Sequence, residues 1–116
     1  QAYRWWDGLS GSKRRKYQRP LSRRWRSRLD LLSNDLQGPV VEQYPAIAEM
    51  TDRLRVVGAH GSAMSGSGSA VFGLFATQAD AVVARRRIRK PGWRTWVTRT
   101  ISRSDYVCLA TPARID

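Results

Sequence analysis

A short loop of glycine and serine is the part of this sequence best suited to chemistry. Residues 64–75 read MSGSGSAVFGLF, and the candidate site within them comprises Ser65, Gly66, Ser67, Gly68 and Ser69. Glycine permits positive φ and has no Cβ, so successive backbone amides can point into one concavity and form a nest for an anion. A flexible hairpin turn uses the same residue types, and the lysine of the G-x-x-x-x-G-K-[ST] pattern is missing. A phosphate loop and a plain turn are therefore equal alternatives on these residues alone.

Other reactive side chains are scarce. Cys108 is the single cysteine and His60 the single histidine, so we expect neither a thiolate–imidazole metal site nor an internal disulfide. One unpaired cysteine is typical of a reducing, cytoplasmic setting. No apolar run approaches the roughly 20 residues of a membrane-spanning helix, and residues 1–9 lack the apolar region of a secretory signal. We expect no contact with a membrane.

Positive charge dominates the chain and is concentrated in two places. The formal net charge is +12 and the isoelectric point is near 11.4. The clusters are KRRKYQRPLSRRWRSR, residues 13–28, and RRRIRK, residues 85–90. Such clusters attract polyanions without specifying one, so residues 13–28 predict non-specific polyanion binding. An alternative function is consequently a basic nucleic-acid-binding module of α+β fold.

Residues 10–28 form a basic linker or insertion. The segment opens with Ser10-Gly11-Ser12, contains Pro20 and has no sustained helical or strand period, which predicts disorder. A second interpretation has Tyr17 and Trp25 stacking on bases between arginines. A third is a reading-frame error, in which case residues 12–28 are not native sequence.

The order of elements becomes regular after the basic segment. Leu29, Leu32 and Leu36 share one face of a predicted short helix that Gly38-Pro39 should stop. A break near Tyr44 and a second helix from about Pro45 to Val57, ended by Gly58, are predicted next.

The following stretch predicts strands and one further helix. GAHGSAM and AVFGLFA are expected to be strands, and Thr77 with Asp80 resembles a capping box that opens a helix over residues 78–89. Its core-facing residues should be Ala79, Val82 and Val83. WRTWVTRTI, residues 93–101, alternates as a strand does, with Trp93, Thr95 and Val97 on one side and Arg94, Trp96 and Thr98 on the other. No pattern is evident beyond Ser102.

This order of elements predicts an α+β fold. Strands joined by a hairpin and a helix, with helices covering one face, describe a two-layer sandwich of the split βαβ, ferredoxin-like kind. Only three strands are predicted where such a layer commonly has four. We therefore expect the first strand to be lacking from this chain.

Three strings in a fixed order resemble one family. NDLQGPVVEQYPAIAEM (residues 34–50), GAHGSAMSGSGSAVFGLF (residues 58–75) and WVTRT (residues 96–100) together resemble the carboxyl-terminal half of the GHMP kinases. The resemblance divides the chain into a first helix at residues 1–9, the basic insertion at 10–28, a GHMP kinase C-terminal domain core at 29–104 and a tail at 105–116. Residues 12–28 resemble nothing expected in the family.

The resemblance implies a kinase that transfers the γ-phosphoryl group of ATP to a hydroxyl of a small molecule. The loop Ser65–Ser69 matches a family motif beside the phosphate-binding loop, and ATP with Mg²⁺ would serve the complete enzyme. Family members take a Pro-x-x-x-G-L-x-S-S-A loop, a catalytic Asp and a Lys from an amino-terminal domain. That loop is absent from this sequence, so no catalytic role is assigned to Asp30, Asp35 or Asp52. We expect the missing N-terminal kinase domain as a partner and no activity from the chain alone. A regulatory ligand-binding domain is a third alternative.

Overall fold

The computed structural model describes residues 1–11, 13 and 32–111. Its elements, in chain order, are the helices and strands α1 (Ala2–Asp7), α2 (Gln37–Gln43), α3 (Ala46–Val56), β1 (Gly61–Met64), β2 (Val71–Leu74), α4 (Gln78–Arg87) and α5 (Arg103–Ala110). Apart from Gly11 and Lys13, the basic segment after Ser10 lies outside the described residues, as do Tyr17, Trp25 and Leu29. The interpretations placed on that segment stay predictions.

A β-hairpin lies at the centre of the described fold. Strands β1 and β2 are antiparallel, with Gly61 opposite Leu74 and Met64 opposite Val71. All four residues of β1 are buried, and helix α3 packs against both strands. Both strands are confirmed at the positions predicted for them, and helices with an antiparallel sheet make an α+β fold. The sheet has two strands within the described residues, so the four-stranded ferredoxin-like layer stays a prediction.

The core joins the first helices to the hairpin. Ala2, Val40, Ile47 and Met64 are each at most 4% exposed and form one cluster. Trp5 packs on its edge and meets the ring of Tyr44 at a centroid distance of 6.0 Å. Removal of these apolar side chains from water fixes α1, α2 and α3 against β1.

Helix α3 follows the prediction, whereas α2 does not. Gly58, with φ of 103°, follows the end of α3, and Pro45 precedes its start. Gly38 and Pro39 do not stop a helix; they lie in the first turn of α2, which begins at Gln37. Proline is tolerated there because the first four N–H groups of a helix have no intrahelical acceptor. The predicted helix through Leu32 and Leu36 is therefore wrong, since both residues precede α2.

Helix α4 starts at the predicted cap but turns a different face to the core. Thr77 Oγ1 accepts a hydrogen bond from the Asp80 N–H at 3.1 Å. The residues that face inward are the half-buried Ala81, Val82 and Ile88 and the fully buried Ala84. Ala79 and Val83 are exposed, which corrects their prediction as core residues. Ala81 and Ala84 are three residues apart and therefore lie on the same side of the helix. Their small side chains let this side of α4 lie close to the rest of the fold.

Residues 93–101 are not a strand in the described structure. They nevertheless keep the predicted alternation up to Val97: Trp93, Thr95 and Val97 are half-buried, whereas Arg94 and Trp96 are exposed. The strand prediction was wrong because alternation reports only which side is covered. A strand also needs a neighbour to pair its backbone, and none of the described segments lies in that position.

Helix α5 was not expected from the sequence. Ser102 Oγ accepts a hydrogen bond from the Asp105 N–H at 3.1 Å, so the helix has the same type of cap as α4. None of its residues is buried. Within the described part of the chain, no helix has both the length and the apolar content needed to cross a bilayer.

Candidate functional site

The five predicted loop residues lie together at the tip of the hairpin. The Ser65 N–H donates to the carbonyl of Ala70 at 2.8 Å, and the Gly68 N–H donates to the carbonyl of Ser65 at 3.1 Å. Gly66 has φ of 55° and Gly68 has φ of 87°, while Ser67 between them has negative φ. Residues Ser65 to Ala70 are all exposed. The loop is therefore closed by its own backbone and open to solvent.

Two side chains at the start of α2 hold this loop. Asn34 Nδ2 donates to the carbonyl oxygens of Met64 at 2.8 Å and Gly66 at 2.7 Å. Its Oδ1 accepts from the Leu36 N–H at 3.0 Å, which orients the amide. Gln37 Oε1 accepts from the Met64 N–H at 2.8 Å. The loop conformation thus depends on residues about thirty positions earlier in the chain.

Sequence reasoning missed Asn34 and Gln37 as parts of the site. The usable signal was the string NDLQ at the start of α2, because polar side chains at a helix start bond to nearby backbone groups. His60 is not part of the site: it precedes β1, at the opposite end of the hairpin from the loop.

The loop has the donors that an anion requires. Across the described ranges, the N–H groups of Gly66, Ser67 and Ser69 have no intramolecular acceptor. The alternating sign of φ through Gly66, Ser67 and Gly68 is found in backbone nests that bind anions. Three serine hydroxyls lie in the same exposed loop and add donors. The arrangement suits recognition of an oxyanion and includes no group that could activate a nucleophile.

A second polar cluster joins α3 to residues 90–93. The Glu49 carboxylate is 2.8 Å from Lys90 Nζ and 2.9 Å from Arg53 Nη2. The hydrogen bond from Lys90, with the charges of Lys90 and Arg53, lowers the pKa of Glu49 below its ordinary value. Both cations also approach the ring of Trp93, each 5.3 Å from its centroid. This cluster fixes Trp93 on the surface of α3.

An apolar cleft of about 580 Å³ lies beside β2. Residues 71–73 of β2 line one part of it, and residues 92–98 line another. Further lining comes from Met50 and Leu54 of α3 and from Ala81 and Ala84 of α4. The cleft therefore separates the outer edge of the hairpin from the segment that alternates as a strand does.

Comparison with known proteins decides the family. The family described as "GHMP kinases C terminal" matches residues 18–92, which is well over half of the chain. The matched range includes Asn34 and the whole Ser65–Ser69 loop that Asn34 holds. The chain belongs to the GHMP kinase C-terminal family. The match confirms the predicted family resemblance; its range contains the first two strings and ends before the third, at residues 96–100. It begins at residue 18, inside the segment 12–28 that was expected to resemble nothing in the family.

Several relatives of this GHMP kinase C-terminal domain carry the same name. A 4-diphosphocytidyl-2-C-methyl-D-erythritol kinase from Citrifermentans bemidjiense is 45% identical over 73 residues, covering 62% of this chain and 26% of the relative. The enzyme of that name from Paracoccus denitrificans is 48% identical over 66 residues, covering 55% of this chain and 23% of the relative. The chain spans about a quarter of the length of these relatives. No solved structure matches the chain.

Proposed function

We propose that this domain is part of a kinase that phosphorylates the 2-hydroxyl of 4-diphosphocytidyl-2-C-methyl-D-erythritol, at the expense of ATP, in non-mevalonate isoprenoid biosynthesis. The printed names of the relatives support the substrate. The observation that carries the proposal is the loop itself, because Asn34 holds a backbone of alternating φ whose free amides suit a phosphate group. A cytoplasmic location, expected from the single Cys108, belongs to the same proposal.

In this proposal the loop recognises charge and does not perform the chemistry. Phosphoryl transfer needs a cradle for the triphosphate, Mg²⁺ and a group that orients the attacking hydroxyl. The backbone amides of Gly66, Ser67 and Ser69, together with the hydroxyls of Ser67 and Ser69, fit an oxyanion of substrate or nucleotide. The described residues contain no group of three or more His, Cys, Asp or Glu side chains that could hold a metal ion. We therefore assign Mg²⁺, the triphosphate cradle and the catalytic Asp to an N-terminal kinase domain, and we propose that this chain alone is inactive.

We also propose that the hairpin belongs to a four-stranded ferredoxin-like layer. The apolar cleft between β2 and residues 92–98 has the outer edge of the hairpin on one side. A further strand in this cleft would pair with β2 and with residues 93–97, whose exposure already alternates. In the chain as given, we expect the amides of residues 95–97 to exchange rapidly with solvent. They should become protected in a longer protein that supplies a further strand to this cleft, and unchanged exchange there would overturn this part of the proposal.

A chimera tests the kinase proposal. Residues 32–111 of this chain would replace the matching region of the Paracoccus denitrificans relative, and ADP release would be followed with 4-diphosphocytidyl-2-C-methyl-D-erythritol as substrate. We expect turnover from the chimera and none from the 116-residue chain assayed alone. Val83→Ala, at an exposed position of α4 outside the loop, is the control, and Gly68→Ala, which distorts the loop, should lower turnover strongly. A chimera that folds by circular dichroism but has no activity would contradict the proposal, as would turnover by the chain alone.

A further inference from the structure

A basic recess lies where helix α4 ends and the chain turns back over it. It is an open depression of about 510 Å³, and among its lining residues are Arg85, Arg89, Arg94, Trp93 and Trp96. Arg85 is in the last turn of α4, Arg89 follows the helix, and Arg94 lies beyond the Pro91-Gly92 turn. The fold therefore brings together cations and aromatic rings from three successive segments.

The positive charge of this recess is not neutralised by its surroundings. Residues 85–104 contain eight Lys and Arg side chains and no Asp or Glu. Lys90 is paired with Glu49. Among the residues that the structure describes, Arg85, Arg89 and Arg94 have no carboxylate partner. Three guanidinium groups are thus available to an anionic ligand.

The two tryptophans of the recess differ in solvent exposure and in the contacts that hold them. Trp93 is half-buried and is held by Arg53 and Lys90, both of which are bonded to Glu49. Trp96 is 76% exposed, three residues further along. A fixed ring thus forms part of the recess wall, and an open ring face lies beside the three unpaired arginines.

We propose that this recess binds single-stranded nucleic acid, with a base stacked on Trp96 and phosphates contacting Arg85, Arg89 and Arg94. Phosphates supply the attraction to unpaired cations, and every base has a face that can stack on an aromatic ring once it is free of a duplex. An anionic membrane surface fits less well, because the apolar residues of α4 mostly face the core and leave no broad apolar face for insertion. The Ser65–Ser69 loop takes no part in this inference, although Arg85, Arg94 and Trp96 also line the cleft in which a further strand is proposed.

Fluorescence anisotropy with a fluorescein-labelled fifteen-nucleotide oligo(dT) tests the stacking contact in the complete chain. We expect Trp96→Ala to raise the Kd by about 5- to 150-fold, the range expected for loss of one base–aromatic stack. Tyr106→Ala is the matched control, because Tyr106 is also exposed, at 61%, but lies on α5 outside the recess. The basic residues 13–28 are present in every variant, so a difference between Trp96→Ala and Tyr106→Ala reports on the recess.

The salt dependence tests the phosphate contacts. Arg94→Gln should reduce the slope of log K against log salt concentration by about 0.7, whereas Arg103→Gln on α5 should change it less. Equal slopes for the two arginine variants, or equal affinities for Trp96→Ala and Tyr106→Ala, would overturn the proposal.

Binding to vesicles that contain phosphatidylserine tests the membrane alternative. A Trp96→Ala defect seen with vesicles but not with oligo(dT) would also overturn the proposal. Circular dichroism checks that each variant is folded.

Discussion

The side-chain amide of Asn34 donates a hydrogen bond of 2.7 Å to the carbonyl oxygen of Gly66, thirty-two residues later in the chain. The same nitrogen reaches the carbonyl of Met64, so a single side chain holds the end of β1 and the candidate loop together. Asn34→Asp keeps the acceptor that caps Leu36 but removes the donor. We expect it to cost about 1–2 kcal/mol of unfolding free energy, because two carbonyls lose their partner.

Hydrogen exchange would show whether this loss is local to the loop. In Asn34→Asp, the amides of Ser65 and Gly68 should exchange faster than in the original chain. Asn34→Ala removes both the donor and the acceptor of the Leu36 N–H, so the same amides should exchange faster in that variant too. Unchanged exchange in both variants would contradict the assigned role of Asn34.

Two loop glycines should differ in their tolerance of alanine. A Cβ on Gly66 would meet no atom within 4 Å, so Gly66→Ala should cost only the strain of positive φ, about 1 kcal/mol. A Cβ on Gly68 would lie 2.9 Å from Met64 Sδ, on a residue that also has positive φ. Urea denaturation should therefore give a larger loss for Gly68→Ala. Equal losses would contradict the close approach of Gly68 to the core methionine.

The two helix caps should also differ in their effect, although their geometry is the same. Thr77 and Ser102 each accept a hydrogen bond of 3.1 Å from the backbone of an Asp three residues later. Helix α4 buries Ala84, whereas α5 buries no residue. Thr77→Ala should lower the global unfolding free energy by about 1 kcal/mol. Ser102→Ala should fray α5, which circular dichroism would show as a loss of helical signal. The urea unfolding transition should not change.

The pKa of Glu49 should depend on Lys90. The hydrogen bond and charge of Lys90 lower this pKa, so Lys90→Gln should raise it towards the ordinary glutamate value. Because the pKa is lowered in the folded chain, the stabilisation is present above the ordinary value and is lost as pH falls through the lowered one. Carbon NMR titration of the carboxyl group measures the change. Arg85→Gln removes the same charge without a bond to Glu49, and an equal shift in that variant would argue against the contact.

Local signals predicted much of the fold correctly. Short apolar stretches marked both strands of the hairpin, Pro45 and Gly58 marked the limits of α3, and Thr77 with Asp80 marked the start of α4. Each of these depends on residues close in the sequence. The five loop residues of the candidate site were selected on the same kind of local signal, since Gly66 and Gly68 are recognisable without any tertiary partner, and their binding role stays a prediction.

The failures concern features that depend on distant parts of the molecule. Gly38-Pro39 has the composition of a helix stop, but in the first turn of α2 its missing N–H costs nothing. The alternation from Trp93 to Val97 was read correctly, yet strand pairing requires a neighbour that sequence periodicity does not provide. The role of Asn34 in the site was missed because its partners, Met64 and Gly66, lie thirty and more residues away.

The bonds from Asn34 and Gln37 couple the hairpin tip to the beginning of α2. A ligand that selects one conformation of Gly66 and Ser67 would also favour the ordered start of this helix, because the same side chains serve both. Thermodynamic linkage makes the effect reciprocal, so a change that loosens the first turn of α2 weakens binding by the same free energy. Residues that never touch the ligand, such as Leu36 and Gln37, would then alter affinity through the population of the competent loop.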